Sequence, residues 1–293
     1  MPARPIGMIG LGLLGSALAE RMFSAGFAVC GLDLSAQRRA GHAAHGGSVA
    51  DSLRDVAGYT TIVLCLPDSN VVGKVVDELL PHLAAGTLLI DATTGDPEQT
   101  AALAKRLATQ QIGYVDATVG GSSQQVREGS AIVMAGGETA HIFRAKEVVD
   151  TWGKQWFHAG PAGSGARMKL VLNLALGLQR AVLAEALALA QACAIEPGMA
   201  LQILRASPAY AVCMDTKGPK MLAGDFTPQA RLAQHHKDVR LIQVLAARAG
   251  ARIPLTDVHE EILQQAIALG WGDADNSAVL CAYHNRPVSH SGA

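Results

Sequence analysis

The chain has 293 residues, of which 49% are hydrophobic, 17% charged and only 4% aromatic, and its formal net charge is −1. This length is sufficient for two domains, and the composition is that of a globular protein with a large core. A nucleic-acid partner is not expected, because phosphate backbones attract basic surfaces and unpaired bases stack on aromatic side chains.

The cysteines and the apolar segments limit the class of protein further. Five cysteines are dispersed along the chain without any Cys-x-x-Cys pair, so neither a disulfide framework nor a metal site is expected. The N-terminal segment lacks a charged lead followed by an apolar export segment, and a cytoplasmic location is expected. The longest apolar stretch, 170–192, contains Arg180 and Glu185, which are costly in lipid, so it predicts a buried helix and no membrane span.

The first elements form a strand, a glycine turn, a helix and a second strand. An apolar segment, 5–9, leads into Gly10-Leu11-Gly12-Leu13-Leu14-Gly15; a helical pattern covers 16–25, and a second apolar segment, 27–32, ends at Asp33. In such a unit the first glycine makes a tight turn, the second admits a pyrophosphate, and the third lets the helix pack on the strand. The pattern predicts a dinucleotide-binding site.

The acid that ends the second strand indicates which dinucleotide binds. A carboxylate at this position accepts hydrogen bonds from the adenosine ribose hydroxyls and repels a 2′-phosphate. Asp33 therefore favours NAD over NADP. Arg38 and Arg39 follow within six residues, so NADP stays possible, although the default interpretation of these arginines is a solvated helix face.

Strands and helices continue to alternate after Asp33. Apolar or β-branched runs predict strands, and helical patterns separate them; the strands are 60–66, 87–91 and 113–117, and the helices are 69–82 and 97–109. This alternation predicts a parallel sheet with right-handed crossovers, in which ligands gather beyond the carboxyl ends of the strands. The candidate pocket walls are Leu66, Pro67, Thr93, Thr94 and residues 118–123. A further apolar run, 131–135, predicts a return strand at the edge of the sheet.

The pattern becomes wholly helical after the glycine-rich turn at 160–165. Helical patterns cover 166–192, 197–205, 229–249, 256–269 and 274–283. The predicted fold is an α/β Rossmann-type N-terminal domain, with a parallel sheet and helices on both faces, followed by an all-α C-terminal domain. The predicted limits are 1–163 for dinucleotide binding and 164–293 for substrate binding and oligomerisation, with a long linking helix from about 166 to 192.

Lys169 and Asn173 lie four residues apart near the start of this long helix, so they project from the same face. A half-buried ammonium is costly unless it is paired or used, and burial readily lowers the pKa of a lysine. One interpretation is a lysine whose stem is buried and whose charge reaches water, beside a hydrogen-bonded asparagine. The other is a pair that handles a proton and a polar substrate.

Several ordered motifs resemble the β-hydroxyacid dehydrogenase family, which includes 3-hydroxyisobutyrate dehydrogenase and tartronate semialdehyde reductase and is related to 6-phosphogluconate dehydrogenase. The resemblance covers nearly the whole chain. Its motifs are the glycine turn at 10–15, Asp91-Ala92-Thr93-Thr94-Gly95-Asp96-Pro97, Asp116-Ala117-Thr118-Val119-Gly120-Gly121-Ser122, the segment 163–173, Lys237-Asp238, and 270–278. Three departures concern the third motif: Gly120 stands where the family has its substrate-binding serine, Ser122 replaces the family's second glycine, and Thr118 replaces a proline.

The resemblance implies an NAD(P)-dependent oxidoreductase that interconverts a small β-hydroxyacid and its aldehyde or keto acid. Lys169 would be the general acid and base, and Asn173 would hold the substrate. Thr94 and Lys237 would border the nicotinamide, with Leu66 and Pro67 beside the cofactor. The substrate carboxylate would meet the backbone N–H groups of Gly120, Gly121 and Ser122, which can form an anion nest, and a hydroxyl from Ser122 or Ser123.

Two alternatives remain open at this point. An imine-reductase-like enzyme shares the architecture but usually lacks the lysine that Lys169 supplies here. A non-catalytic dinucleotide-binding sensor or scaffold would not need Lys169 or Asn173.

The long helix is apolar around much of its circumference, which predicts a homodimer or homotetramer.

Overall fold

The computed structural model describes residues 5–284. Contacts divide the chain into two compact units, Met1–Lys169 and Leu170–Ala293. The division falls inside the long helix, whereas the predicted boundary, 163/164, lies at its start. The assignment of cofactor binding to 1–163 and of substrate binding to 164–293 stays a prediction.

An eight-stranded sheet forms the centre of the first unit. Its order is β3-β2-β1-β4-β5-β6-β7-β8. The first six strands are parallel, β7 is antiparallel to β6, and β8 is parallel to β7. The strands are β1 (Pro5–Ile9), β2 (Ala28–Leu32), β3 (Ser48–Val49), β4 (Thr61–Leu64), β5 (Leu88–Asp91), β6 (Gly113–Gly120), β7 (Ile132–Gly137) and β8 (Gln155–Gly160).

Helices cover both faces of this sheet, as predicted. Alternate residues of one strand enter different core clusters: Ile62 and Leu64 of β4 lie in one cluster and Val63 lies in the other. Strands buried on both faces have nearly continuous apolar sequences, which is why these strands are recognisable from the sequence. The helices are α1 (Leu13–Ser24), α2 (Ala36–Ala44), α3 (Leu53–Val56), α4 (Ser69–Leu79), α5 (Pro97–Ala108), α6 (Ser123–Arg127) and α7 (Thr139–Val149).

The predicted return strand exists as β7, but it is not the edge of the sheet. On this side of the sheet the edge strand is β8, whose residues are mostly exposed. An exposed edge strand carries no apolar alternation, so no sequence pattern predicted it. The helix α1 also begins three residues earlier than the predicted start at residue 16, because Gly12 serves as its N-cap.

Every regular element among the described residues of the second unit is a helix. It is built on α8 (Ser164–Ala192), which begins in the first unit, and on α9 (Pro197–Ala206), α10 (Cys213–Thr216), α11 (Gly218–Ala223), α12 (Leu232–Ala249), α13 (Pro254–Ala266) and α14 (Leu280–Tyr283). By length and hydropathy α8 also meets the requirements of a membrane span, a test that core helices of soluble proteins pass as well. Its residues Leu183, Ala184 and Leu187 are buried in the helical core.

Candidate active site

The glycine turn between β1 and α1 is close-packed on one side and open on the other. A Cβ atom on Gly10 would lie 2.2 Å from the carbonyl oxygen of Cys65, and one on Gly15 would lie 2.0 Å from that of Gly10. Gly10 also has a φ of +96°, which side chains disfavour. A Cβ atom on Gly12, by contrast, would meet nothing within 4 Å. The turn is therefore packed against the protein at Gly10 and Gly15 and leaves space at Gly12.

Asp33 connects the end of β2 to this turn. Its Oδ2 accepts a hydrogen bond of 2.8 Å from the backbone N–H of Leu11, and its Oδ1 accepts one of 2.8 Å from that of Ser35. Arg38 Nη1 lies 3.3 Å from Asp33 Oδ2, and Arg39 donates to the backbone carbonyl of Asp33. The carboxylate thus orders the turn and is partly neutralised by an arginine.

These features fit a dinucleotide. The space at Gly12 lies at the N-terminus of α1, where backbone N–H groups and the helix dipole favour an anion. The carboxylate of Asp33 lies at the neighbouring strand end and supplies acceptors for ribose hydroxyls. The residues predicted to hold the pyrophosphate and the ribose are therefore arranged as such a group requires.

The loops after β4 and β5 meet at the same edge of the sheet. The backbone N–H of Leu66, which precedes Pro67, donates to Thr93 Oγ1 at 3.0 Å. Asp91 Oδ1 in turn accepts from the backbone N–H of Thr93, and Asp91 Oδ2 accepts from the hydroxyl of Tyr114. Burial raises the pKa of Asp91. These bonds fix the loop that carries Thr94.

The turn after β6 contains the residues predicted to bind the substrate carboxylate. Gly120 ends the strand, Gly121 has a φ of +157°, and Ser122 is the N-cap of α6, which begins at Ser123. The hydroxyl of Ser122 accepts from the backbone N–H of Gln125, and the backbone N–H of Ser122 donates to Gln125 Oε1 at 2.9 Å. This capping box occupies the Ser122 amide, so the anion nest proposed from the sequence does not include it.

Lys169 and Asn173 occupy successive turns of α8, as their spacing predicted. Both are buried, with 9% of Lys169 and 7% of Asn173 accessible to solvent. The interpretation that this pair handles a proton and a polar substrate stays a prediction.

Asn173 forms a hydrogen bond with Asp238 on α12. Its Nδ2 donates to Asp238 Oδ2 at 2.8 Å, and Lys237 Nζ lies 3.0 Å from Asp238 Oδ1. Asp238 is 6% exposed and joins the two predicted site residues of the second unit. No local sequence pattern predicted that Asp238 contacts Asn173. The residue stands out in the sequence only as part of the Lys237-Asp238 motif.

His235 is buried on α12, and its Nε2 lies 3.1 Å from Nε2 of His259 on α13. Burial, with the charges of Arg180 and His236, lowers the pKa of His259 to about 4. Within residues 5–284, no group of three or more metal-ligating side chains is found.

Comparison with known proteins agrees with this architecture. Residues 5–160 match the NAD-binding domain of 6-phosphogluconate dehydrogenase, and residues 163–283 match the NAD-binding domain of NADP-dependent 3-hydroxyisobutyrate dehydrogenase. The chain is 31% identical over 280 residues to 2-(hydroxymethyl)glutarate dehydrogenase of Eubacterium barkeri, covering 94% of this chain and 93% of that protein.

A second relative and a solved structure extend the comparison. Glyoxylate/succinic semialdehyde reductase 1 of Arabidopsis thaliana is 28% identical over 280 residues, which are 94% of this chain and 96% of the relative. The crystal structure of 3-hydroxyisobutyrate dehydrogenase from Salmonella typhimurium superposes with a TM-score of 0.87 at 25% identity, covering 94% of this chain and 98% of the other.

The fold, the glycine turn and these similarities define an oxidoreductase that uses a nicotinamide dinucleotide. The domain matches cover the sheet unit and the helical unit in turn. The chain belongs to the β-hydroxyacid dehydrogenase family, and its activity class is that of an NAD(P)-dependent hydroxyacid dehydrogenase.

Proposed function

We propose that the protein interconverts a small β-hydroxyacid and its aldehyde or keto acid, with Lys169 as general acid and base. The observation that carries the proposal is the pair of buried polar side chains, Lys169 and Asn173, one turn apart on α8. When bound, the nicotinamide supplies the hydride acceptor or donor. The protein must then hold the hydroxyl carbon in place and move one proton.

Lys169 is the group proposed to move that proton. In oxidation its Nζ takes the proton of the substrate hydroxyl, and in reduction the ammonium returns it to the developing alkoxide. A lysine serves this purpose when its surroundings disfavour the ammonium enough for the proton to leave near the working pH.

Asn173 is proposed to orient the substrate. Because the carboxylate of Asp238 can only accept, the amide nitrogen of Asn173 must face it, as the 2.8 Å contact has it. The second N–H of the same amide is proposed to donate to the oxygen of the substrate hydroxyl, whose single proton is the one that Lys169 takes. The turn at Gly121 and Ser123 is proposed to meet the substrate carboxylate.

NAD is the proposed cofactor. The proposal rests on Asp33, whose two carboxylate oxygens lie at the end of β2 beside the glycine turn. A 2′-phosphate placed there would face this carboxylate, although Arg38 partly offsets its charge.

The experiment combines a substrate panel with a matched pair of variants. Hydroxyacids of three to five carbons are tested with NAD and with NADP by nicotinamide absorbance. We expect Lys169→Met to lower turnover of the preferred substrate by about 10²–10⁴-fold, the usual contribution of a general acid and base. Lys146→Met is the control, because Lys146 is an exposed lysine paired with Asp150.

Unchanged turnover in Lys169→Met would refute the role of Lys169. Dinucleotide binding without turnover of any hydroxyacid would favour the sensor or the imine-reductase alternative.

We also propose that the chain forms a homodimer or homotetramer through α8. Val171, Val182 and Leu189 are more than half exposed, and their spacing places them on one stripe of the helix. A monomeric mass by light scattering at micromolar concentration would contradict this assembly.

A further inference from the structure

Strand β6 holds the N-terminal turn of α8 through a buried carboxylate. Asp116 Oδ1 accepts a hydrogen bond of 2.8 Å from the backbone N–H of Gly163, and its Oδ2 accepts one of 2.8 Å from that of Ala166. The first N–H groups of a helix have no partner within the helix, and a carboxylate is a strong acceptor for them. Asp116 is only 1% exposed, so water does not compete for these bonds.

Thr118 makes a second connection from the same strand. It lies two residues after Asp116 and is completely buried, and its side chain therefore leaves the sheet on the same face. Thr118 Oγ1 lies 3.0 Å from the carbonyl oxygen of Gly165 and 3.2 Å from that of Met134, and its single proton is shared between them. In an α-helix the carbonyl of Gly165 also accepts the N–H of the residue four positions later, which is Lys169.

The backbones of the strand and the helix are in direct contact at this joint. A Cβ atom on Gly165 would lie 2.6 Å from the carbonyl oxygen of Met134 and 2.8 Å from that of Asp116. A Cβ atom on Gly136 would lie 2.6 Å from Asp116 Oδ1 and 2.9 Å from the backbone nitrogen of Gly165. Since no side chain separates the two elements, a change in these hydrogen bonds is transmitted directly to the helix backbone.

We propose that Asp116 and Thr118 are positioning residues for Lys169: strand β6 fixes the first turn of α8 and thereby places the ammonium one turn later. The inference rests on the proposed function, because it takes Lys169 to be the proton-transfer group. A displacement of about 1 Å at a reacting group can lower a rate by about two orders of magnitude.

Thr118→Val tests the hydroxyl with little change in shape, and Thr118→Ser restores it. We expect Thr118→Val to lower kcat about tenfold, to leave dinucleotide affinity unchanged and to leave the KM of the hydroxyacid within about twofold. Thr118→Ser should recover most of the lost kcat. Wild-type kcat in Thr118→Val, or an equal loss in Thr118→Ser, would overturn the proposal.

A double-mutant cycle separates positioning from a general loss of structure. In a Lys169→Met background, Thr118→Val should not lower kcat further, because the ammonium that Thr118 positions is absent. The same fractional loss in both backgrounds would mean that Thr118 acts only on the fold and would overturn the proposal. Wild-type turnover in Lys169→Met alone would refute the proposed function, whereas a large loss there together with an unaffected Thr118→Val would refute only the positioning role.

Asp116→Asn provides a second route if Thr118→Val fails to fold. The asparagine keeps one acceptor but turns an N–H group towards the second backbone amide, so one of the two bonds is lost. We expect a similar decrease in kcat that disappears in the Lys169→Met background. A persistent decrease in that background would contradict positioning.

Discussion

Asn173 and Asp238 form a buried hydrogen bond between α8 and α12, with 2.8 Å between Asn173 Nδ2 and Asp238 Oδ2. The other carboxylate oxygen of Asp238 lies 3.0 Å from Lys237 Nζ. One carboxylate therefore contacts two residues that the sequence placed at the site from separate motifs. This carboxylate fixes which end of the Asn173 amide faces it, whereas the amide of a surface asparagine can flip by 180°.

Replacing Asp238 should impair the reaction through Asn173. Asp238→Leu removes the acceptor and leaves a buried amide N–H without a partner, which costs about 1–3 kcal/mol. We expect kcat/KM to fall by about 10–100-fold. Asp238→Asn is the matched variant, because its carbonyl oxygen can still accept from Asn173, and it should retain most of the activity. Equal kinetics for Asp238→Leu and the wild type would show that the amide does not need this partner.

Asp33→Asn should shift the cofactor preference towards NADP. The substitution keeps an acceptor for the N–H of Leu11 or Ser35 but removes the negative charge that a 2′-phosphate would face. Arg38 would then be released from its ion pair to meet that phosphate. A hydrogen bond to a charged group contributes about 1.5–3 kcal/mol, so we expect the ratio of kcat/KM for NADP over NAD to rise about 10–100-fold.

Asp51→Asn is the control for that shift, because Asp51 is an exposed acid outside the glycine turn. An unchanged ratio in Asp33→Asn would mean that Asp33 serves only to order the turn and that other residues select the cofactor.

Two glycines of the same turn should respond differently to alanine. A Cβ atom on Gly15 would collide with the carbonyl oxygen of Gly10, so Gly15→Ala should lower the free energy of unfolding by several kcal/mol. A Cβ atom on Gly12 meets nothing within 4 Å, so Gly12→Ala should fold with nearly wild-type stability. Its methyl group would fill the space proposed for the pyrophosphate, and the Kd of the dinucleotide should rise at least about tenfold.

Denaturant unfolding and calorimetric titration measure these two effects separately. Wild-type dinucleotide affinity in a folded Gly12→Ala protein would place the phosphates elsewhere.

The parts of the molecule that the sequence predicts are those determined by local pattern. The central strands are apolar because both of their faces are buried, and Lys169 and Asn173 face the same side because a helix repeats every 3.6 residues. The bond from Asn173 to Asp238 spans 65 residues, and the one from Thr118 to Gly165 spans 47. Such pairs depend on how distant elements pack, and no spacing rule indicates them.

His259 should make the protein less stable in mild acid. Its pKa is lowered from 6.5 to about 4 in the folded protein, chiefly by burial and then by the charges of Arg180 and His236. Protonation is therefore favoured more in the unfolded chain. The protein loses stability as the pH falls below 6.5, and the loss is complete once the pH is below about 4. At 1.36 kcal/mol per pKa unit, the loss from this residue amounts to about 3 kcal/mol.

The measurement is the free energy of unfolding in denaturant at several pH values from 7 to 4. His259→Leu removes the titrating group. The free energy of unfolding of the wild type minus that of the variant should therefore fall by about 3 kcal/mol from pH 7 to pH 4, whatever its value at pH 7. His45→Gln is the control, because His45 is exposed and lies outside the imidazole pair. Parallel pH curves for the wild type and His259→Leu would mean that water reaches the imidazole pair and that burial does not suppress protonation of His259.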